Sequence, residues 1–238
     1  MLALGSYEKC KRYIESHSRK SREEEKKKEI YPCITISRQT GAGSYEVSER
    51  LIKILDKHSK DPEQKWTFFN KELIQKVIED HNLPKIVSEY MIETKYSHIN
   101  DAVYELLGVK PSEWKLIQKT TETILQIGRM GKAIIVGRGG NIITSKLPNA
   151  FHIRLVAPLE KRIEHVKNVF GYSREKALDY INKEDKARND YVKTHFFHQI
   201  DDQSLYHLLI NTGLLNYDEA AAVIAKSIMI KFPKNFIQ

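Results

Sequence analysis

The sequence predicts an α/β fold with a parallel sheet covered by helices on both faces. From Cys33 onward, short apolar runs alternate with longer amphipathic stretches of helical period. Composition agrees: 41% hydrophobic and 29% charged residues are globular proportions. The sequence has no internal repeat and no low-complexity tract, so no solenoid or disordered array competes with this reading.

Taken in order, residues 1–30 form a charged N-terminal helical extension. Tyr7, Cys10, Tyr13 and Ile14 have helical spacing, and Glu23–Lys27 and Glu24–Lys28 are i,i+4 pairs in the favourable order. Nine basic and six acidic side chains give this arm +3 of the net +8. It reads either as a solvated extension packed by one turn or as an arm for a nucleic acid or another partner. Strands are predicted at Cys33–Ser37, Trp66–Phe69, Ala133–Gly137, Phe151–Val156 and Tyr206–Ile210. Between them, helical periods run over 44–58, 71–81, 85–107, 111–131, 159–170, 173–191 and 216–231. Lys57–Lys65, with Asp61-Pro62 inside it, reads as a solvated loop.

The longest apolar runs, such as 133–136, fall far short of the ~20 residues of a membrane span. Only Met1 to Leu4 precede Gly5, which leaves no room for a secretory h-region. The two cysteines, Cys10 and Cys33, make no metal spacing and no disulfide framework. A cytoplasmic protein is expected. The +8 charge raises nucleic acid as a partner, but no nucleic-acid motif with interleaved aromatics accompanies it, so nucleic acid and membrane are both expected not to be partners.

Three segments can carry chemistry. In Ile34–Leu51 a strand passes through a glycine-containing turn into a helix starting near Ser44, a context in which backbone N–H groups and a helix N-terminus cradle anions. Against the pattern G-x-x-x-x-G-K-[ST] only Gly43 matches: Arg38 replaces the first Gly, Ser44 the Lys and Tyr45 the Ser/Thr. A plain turn exploiting the permissive φ of Gly41 and Gly43 accounts for that segment equally. In Ile134–Asn141 a buried strand ends in Arg138 flanked by glycines, placing a guanidinium where open α/β sheets bind ligands, or where it pairs with a structural carboxylate. In 180–191, Lys183, Lys186 and Asp190 fall near one helical face with Arg188 offset, which is either a solvated face or part of a polyphosphate site.

With these residues in hand, the chain resembles the cytidylate kinase-like family of P-loop nucleoside monophosphate kinases. The landmarks are Ile34–Arg38 with Gly41-Ala42-Gly43, Phe69–Ile74, Val136–Gly139, Ala157–Ile163, Asp185–Arg188 and Ile210–Thr212, in that order. The resemblance implies a three-layer α/β/α P-loop kinase fold over 31–238, with a helical acceptor-binding region at about 70–131 and a short lid at about 171–198. It implies transfer of the ATP γ-phosphoryl group to a nucleoside monophosphate, CMP or dCMP first, assisted by Mg²⁺ whose ligands stay open. By position, Arg38, Arg162 and Arg188 would be catalytic. Gly41, Ala42, Gly43, Ser44, Tyr45 and Thr212 would hold ATP; Asn70, Lys71, Arg138 and Lys186 would hold the acceptor. Four departures stand out from ordinary relatives: Ser44 for the loop Lys, Gly139 for an Asp, Asn70 for an Asp, and Lys186 and Asp190 in a lid otherwise richer in Arg. The absent loop Lys, the absent carboxylate after Arg138 and Tyr45 in place of the usual Mg²⁺ hydroxyl leave a nucleotide-binding regulator without turnover as the alternative. The oligomeric state is left open.

Overall fold

The computed structural model describes residues 9, 12, 13, 30–74 and 111–237. Five strands form one sheet: β1 (Cys33–Arg38), β2 (Thr67–Phe69), β3 (Ala133–Val136), β4 (Ala150–Val156) and β5 (Leu208–Asn211). Their order is β2-β3-β1-β4-β5 and every neighbouring pair is parallel. The helices are α1 (Ser44–His58), α2 (Pro111–Met130), the single turn α3 (Gly140–Ile143), α4 (Leu159–Phe170), α5 (Arg174–Phe196) and α6 (Tyr217–Lys231).

Strand alternation sorts the core into two layers. Ile34, Ile36, Ile134, Val136, Ile153 and Leu155 face α1 and α6, while Cys33, Ala133 and Ile135 face α2. Helix α1 presents Val47, Leu51 and Leu55 at i, i+4 spacing, all fully buried, and ends in Lys57 and His58, which suit its negative pole. Helix α6 starts with a capping box, Asn216 with Glu219. These are the three layers expected.

Helices α4 and α5 form a hairpin around their own small apolar cluster of Ile163, Val166, Ala177 and Ile181, separate from the two sheet layers. Gly171, with φ 66°, closes α4, and the Ser173 hydroxyl caps α5 by accepting from the Lys176 N–H. Helix α5 continues to Phe196, past the expected end at 191, because nothing in Tyr191–Phe196 breaks it; Phe197 ends it at φ 58°. Strand β5 starts two residues later than expected.

The 57–65 loop is solvated at Lys57, Lys60, Pro62, Glu63 and Lys65, as expected, but it is also pinned from beneath. Lys132, 1% exposed, donates from Nζ to Ser59 Oγ (2.9 Å), Asp61 O (2.6 Å) and Gln64 O (2.9 Å). From the N-terminal arm, Tyr13 is buried edge-on against Phe69 and its hydroxyl donates to the Gly131 carbonyl, which favours the extension packed by one turn. The expected helix at 85–107 and most of that at 71–81 lie outside the described residues. No helix among the described residues is long and apolar enough to cross a membrane.

Candidate active site

An all-parallel sheet brings every strand's carboxyl end to one edge, and there a cavity of about 430 Å³ opens between β1, β3 and the overlying α5. β1 delivers Arg38 into it. β3 is followed by Gly137, Arg138 and Gly139, all left-handed at φ 83°, 56° and 67°. For the two glycines this costs little, but for Arg138 it is an uncommon conformation of the kind held at functional sites. Gly139 is needed for space as well. The Arg38 guanidinium lies where a Gly137 Cβ would stand, and a Gly139 Cβ would come within 2.5 Å of the Phe196 ring at the end of α5. Gly139 therefore leaves no room for the Asp of ordinary relatives.

Arg38, Arg138 and Arg188 all line this cavity, with Lys71, Glu72 and Glu184. Burial, then Arg188, push the Arg38 guanidinium down to about 10; Glu72 and Glu184 pull the other way, and Arg138 lowers it further. Arg38 stays a cation at neutral pH, in a site where positive charge exceeds negative. The Arg138 guanidinium sits 5.2 Å from the centre of the Tyr191 ring, a cation–π contact that steadies it from α5. Asn70 lies just behind this wall. Its Oδ1 accepts from the Leu73 N–H at 2.9 Å, capping the turn that carries Lys71 and Glu72. Asn and Asp cap about equally well, so that departure from the relatives keeps the capping function.

The 39–45 loop stands beside the cavity. Gly41 lets the Arg162 carbonyl approach to 2.6 Å of where a Cβ would be, and Gly43 makes way for the Tyr217 ring. The Thr212 hydroxyl donates to the Ala42 carbonyl at 3.0 Å and tethers the loop to the end of β5. Ser44 opens α1. Tyr45 turns away, its hydroxyl donating to Glu49 at 2.7 Å and its ring meeting Phe68 edge-on. Thr40 donates its N–H (2.7 Å) and its hydroxyl (2.6 Å) to Asp185 Oδ1, and Arg162 Nη1 donates to Asp185 Oδ2 at 2.6 Å. Arg188 donates to Asp185 Oδ1 at 3.1 Å and to the Thr40 hydroxyl oxygen. Arg188 thus belongs to both the cavity and the loop.

Of the residues singled out from sequence, Arg38, Lys71, Arg138 and Arg188 converge on the cavity. Arg162 joins them through Asp185, and Gly41, Ala42, Gly43, Ser44 and Tyr45 form the neighbouring loop, to which Thr212 is hydrogen-bonded. Lys186 stays outside, exposed and paired with Asp190 at 2.5 Å. Several wall residues had escaped notice: Thr35 and Ser37 on β1, Asn141, and Tyr180, Glu184 and Tyr191 on α5. A period-two reading of β1 and a Tyr180–Glu184–Arg188 face at i, i+4 spacing would have found most of them. Behind Ser37, buried Arg154 donates to its hydroxyl at 2.8 Å and also to Asp201.

A solved structure of an uncharacterized protein from Eubacterium ventriosum shares this fold, with a TM-score of 0.60 and 20% identity over 83% of this chain and 98% of that one. A shikimate kinase from Bacteroides thetaiotaomicron superposes over 84% of this chain and 98% of its own at 12% identity, with a TM-score of 0.41, too loosely to bear on chemistry. A uronate isomerase from Corynebacterium glutamicum is 27% identical over 119 residues, which is half of this chain but only 23% of that protein. The chain spans less than a quarter of that relative, and isomerase chemistry is a statement about the relative alone. Residues 33–214 match a family model along most of the 238-residue chain, and the chain belongs to the cytidylate kinase-like family.

Proposed function

We propose that this protein is an ATP-dependent phosphotransferase whose acceptor is a small phosphorylated molecule, a nucleoside monophosphate and CMP or dCMP first. The observation that carries the reading is the position of Arg188, on the cavity wall and hydrogen-bonded to Thr40 of the loop at once. Phosphoryl transfer asks for positioning and neutralisation of charge on the equatorial oxygens more than for covalent chemistry. Arg138 and Arg38 offer planar donors to an acceptor phosphate, with Lys71 at the rim. The loop N–H groups and Arg162 face the donor side, and Arg188 lies between, where the transferred group passes. A cation arriving from α4 and α5 takes over from the lysine that Ser44 replaces. Closure of α5, acting as the lid, excludes water and completes the cation set.

Mg²⁺ bound with ATP takes most of its ligands from phosphate and water. Among the described residues no group of three His, Cys, Asp or Glu could hold a metal. The Ser44 hydroxyl at the start of α1 would add a ligand, and the ion would neutralise charge on the phosphate oxygens.

The test is ADP release with ATP, Mg²⁺ and a panel of monophosphates including CMP and dCMP. Turnover on one acceptor, lost in Arg138→Lys because charge stays while the planar fork goes, supports the reading. ATP binding without turnover on any acceptor supports a regulator instead, which Ser44 in place of the loop cation favours.

A further inference from the structure

Asp185 is not a carboxylate of a solvated helix face: its side chain is 29% exposed and reaches from α5 to Thr40 of the loop. Its two oxygens take four donations: the Thr40 N–H at 2.7 Å, the Thr40 hydroxyl at 2.6 Å, Arg162 at 2.6 Å and Arg188 at 3.1 Å. A backbone N–H, a hydroxyl and two guanidinium groups closing on two oxygens are the donor set of a phosphoryl group. The Arg162 side chain is only 11% exposed, and its Nε is buried without a hydrogen-bond partner, so this donor set has a spare N–H that the carboxylate leaves unused. A phosphate offers one more oxygen than a carboxylate does. The carboxylate also belongs to α5, which meets α4 through the small hairpin cluster and the Arg174–Glu160 pair.

We infer that Asp185 is an internal stand-in for the donor's phosphate: it occupies the phosphoryl subsite in the unliganded protein, latches α5 over the cavity, and must be expelled before a polyphosphate binds. The inference rests on the proposed phosphotransferase reading and adds a self-inhibited ground state to it. The latch makes one carboxylate compete with the ligand for Thr40, Arg162 and Arg188. Apparent affinity for phosphate is then reduced by the fraction of molecules in which the subsite is open. It also means that a phosphate anion alone, with no acceptor present, should release the Asp185 carboxylate from Thr40 and Arg162 while Arg188 passes to the anion.

The experiment is calorimetric titration of the full chain and of Asp185→Asn with inorganic pyrophosphate and with ATP. The Asn variant keeps the shape but loses the competing charge, and it should bind pyrophosphate at least about tenfold tighter than wild type, as expected if the open fraction is about 10% or less. Equal or weaker binding in the variant, with ATP still bound by wild type, overturns the latch and leaves the phosphotransferase reading standing. Binding of neither ligand to either protein overturns both. Should the variant fail to fold, the carboxylate-carbon resonance of Asp185 in wild type decides: saturating pyrophosphate must shift it, and an unmoved resonance overturns the latch.

Discussion

Arg38 is the residue at which function and stability pull apart. Its guanidinium is held down at about 10 by burial and by Arg188, so the folded protein carries a cation that the unfolded chain solvates better. Arg38→Met should therefore raise the melting temperature of the unliganded protein while weakening acceptor binding by roughly 10- to 150-fold, the equivalent of about 1.5–3 kcal/mol for a charged hydrogen bond. A melt and a titration on one preparation check both halves; a lower melting temperature would remove the argument. Gly139 makes the second case. With φ 67° and the Phe196 ring over it, Gly139→Ala combines a left-handed side chain with a clash, and a loss of about 1–3 kcal/mol in urea unfolding is expected. Arg38 and Arg138 were legible in the sequence because each follows an apolar run and each adjoins glycine-containing turns. The Thr40–Asp185 contact was not, since it joins positions 145 apart and neither residue type announces its partner.

Among the elements, β4 carries a pH dependence. Its His152 is buried, with Nδ1 2.8 Å from the Thr35 hydroxyl oxygen, and burial, helped by His207 and Lys231, lowers it from 6.5 to about 4. The native protein keeps this ring neutral where the unfolded chain takes up a proton. The stabilisation is therefore fully present above pH 6.5 and is lost as pH falls toward 4, by up to about 3 kcal/mol. His152→Gln should flatten the fall in urea midpoint between pH 7 and 4.5; an unchanged slope would exclude His152 as its source. The Lys132 side chain is the comparable device for the 59–64 loop. Lys132→Met strands three carbonyl or hydroxyl acceptors and should cost at least about 2 kcal/mol, read from the same unfolding curves. Helix boundaries were legible wherever an apolar stripe ran between clear breakers: 44–58 and 159–170 match α1 and α4 at both ends. The four-residue α3 was not, being too short for any period to show. Helix α5 was recognised by its charges, but its solvated Lys186 face drew the attention that its Tyr180–Glu184–Arg188 face deserved.

At the scale of the molecule, the layered architecture was legible because alternation of apolar runs with amphipathic stretches survives any local ambiguity. The strand order was not legible, since nothing in the strands' own residues says which lie next to each other. The α4–α5 hairpin has its own apolar cluster apart from the two sheet layers, so amides of 177–190 should exchange with solvent faster than those of β1 and β3 in the unliganded protein. Equal protection would mean that the hairpin opens only with the whole domain. The central position of β1 has a further consequence, which concerns time. Cys33 pairs with Ala133 on one side and with Ala150 on the other, so the middle strand of the sheet emerges first and has no neighbour for another 100 residues. At about 5–20 residues per second of synthesis, the β1 backbone waits roughly 5–20 s in a nascent chain before β3 exists to pair with it. Every molecule of this protein passes its first seconds with the backbone of its future core open to other chains.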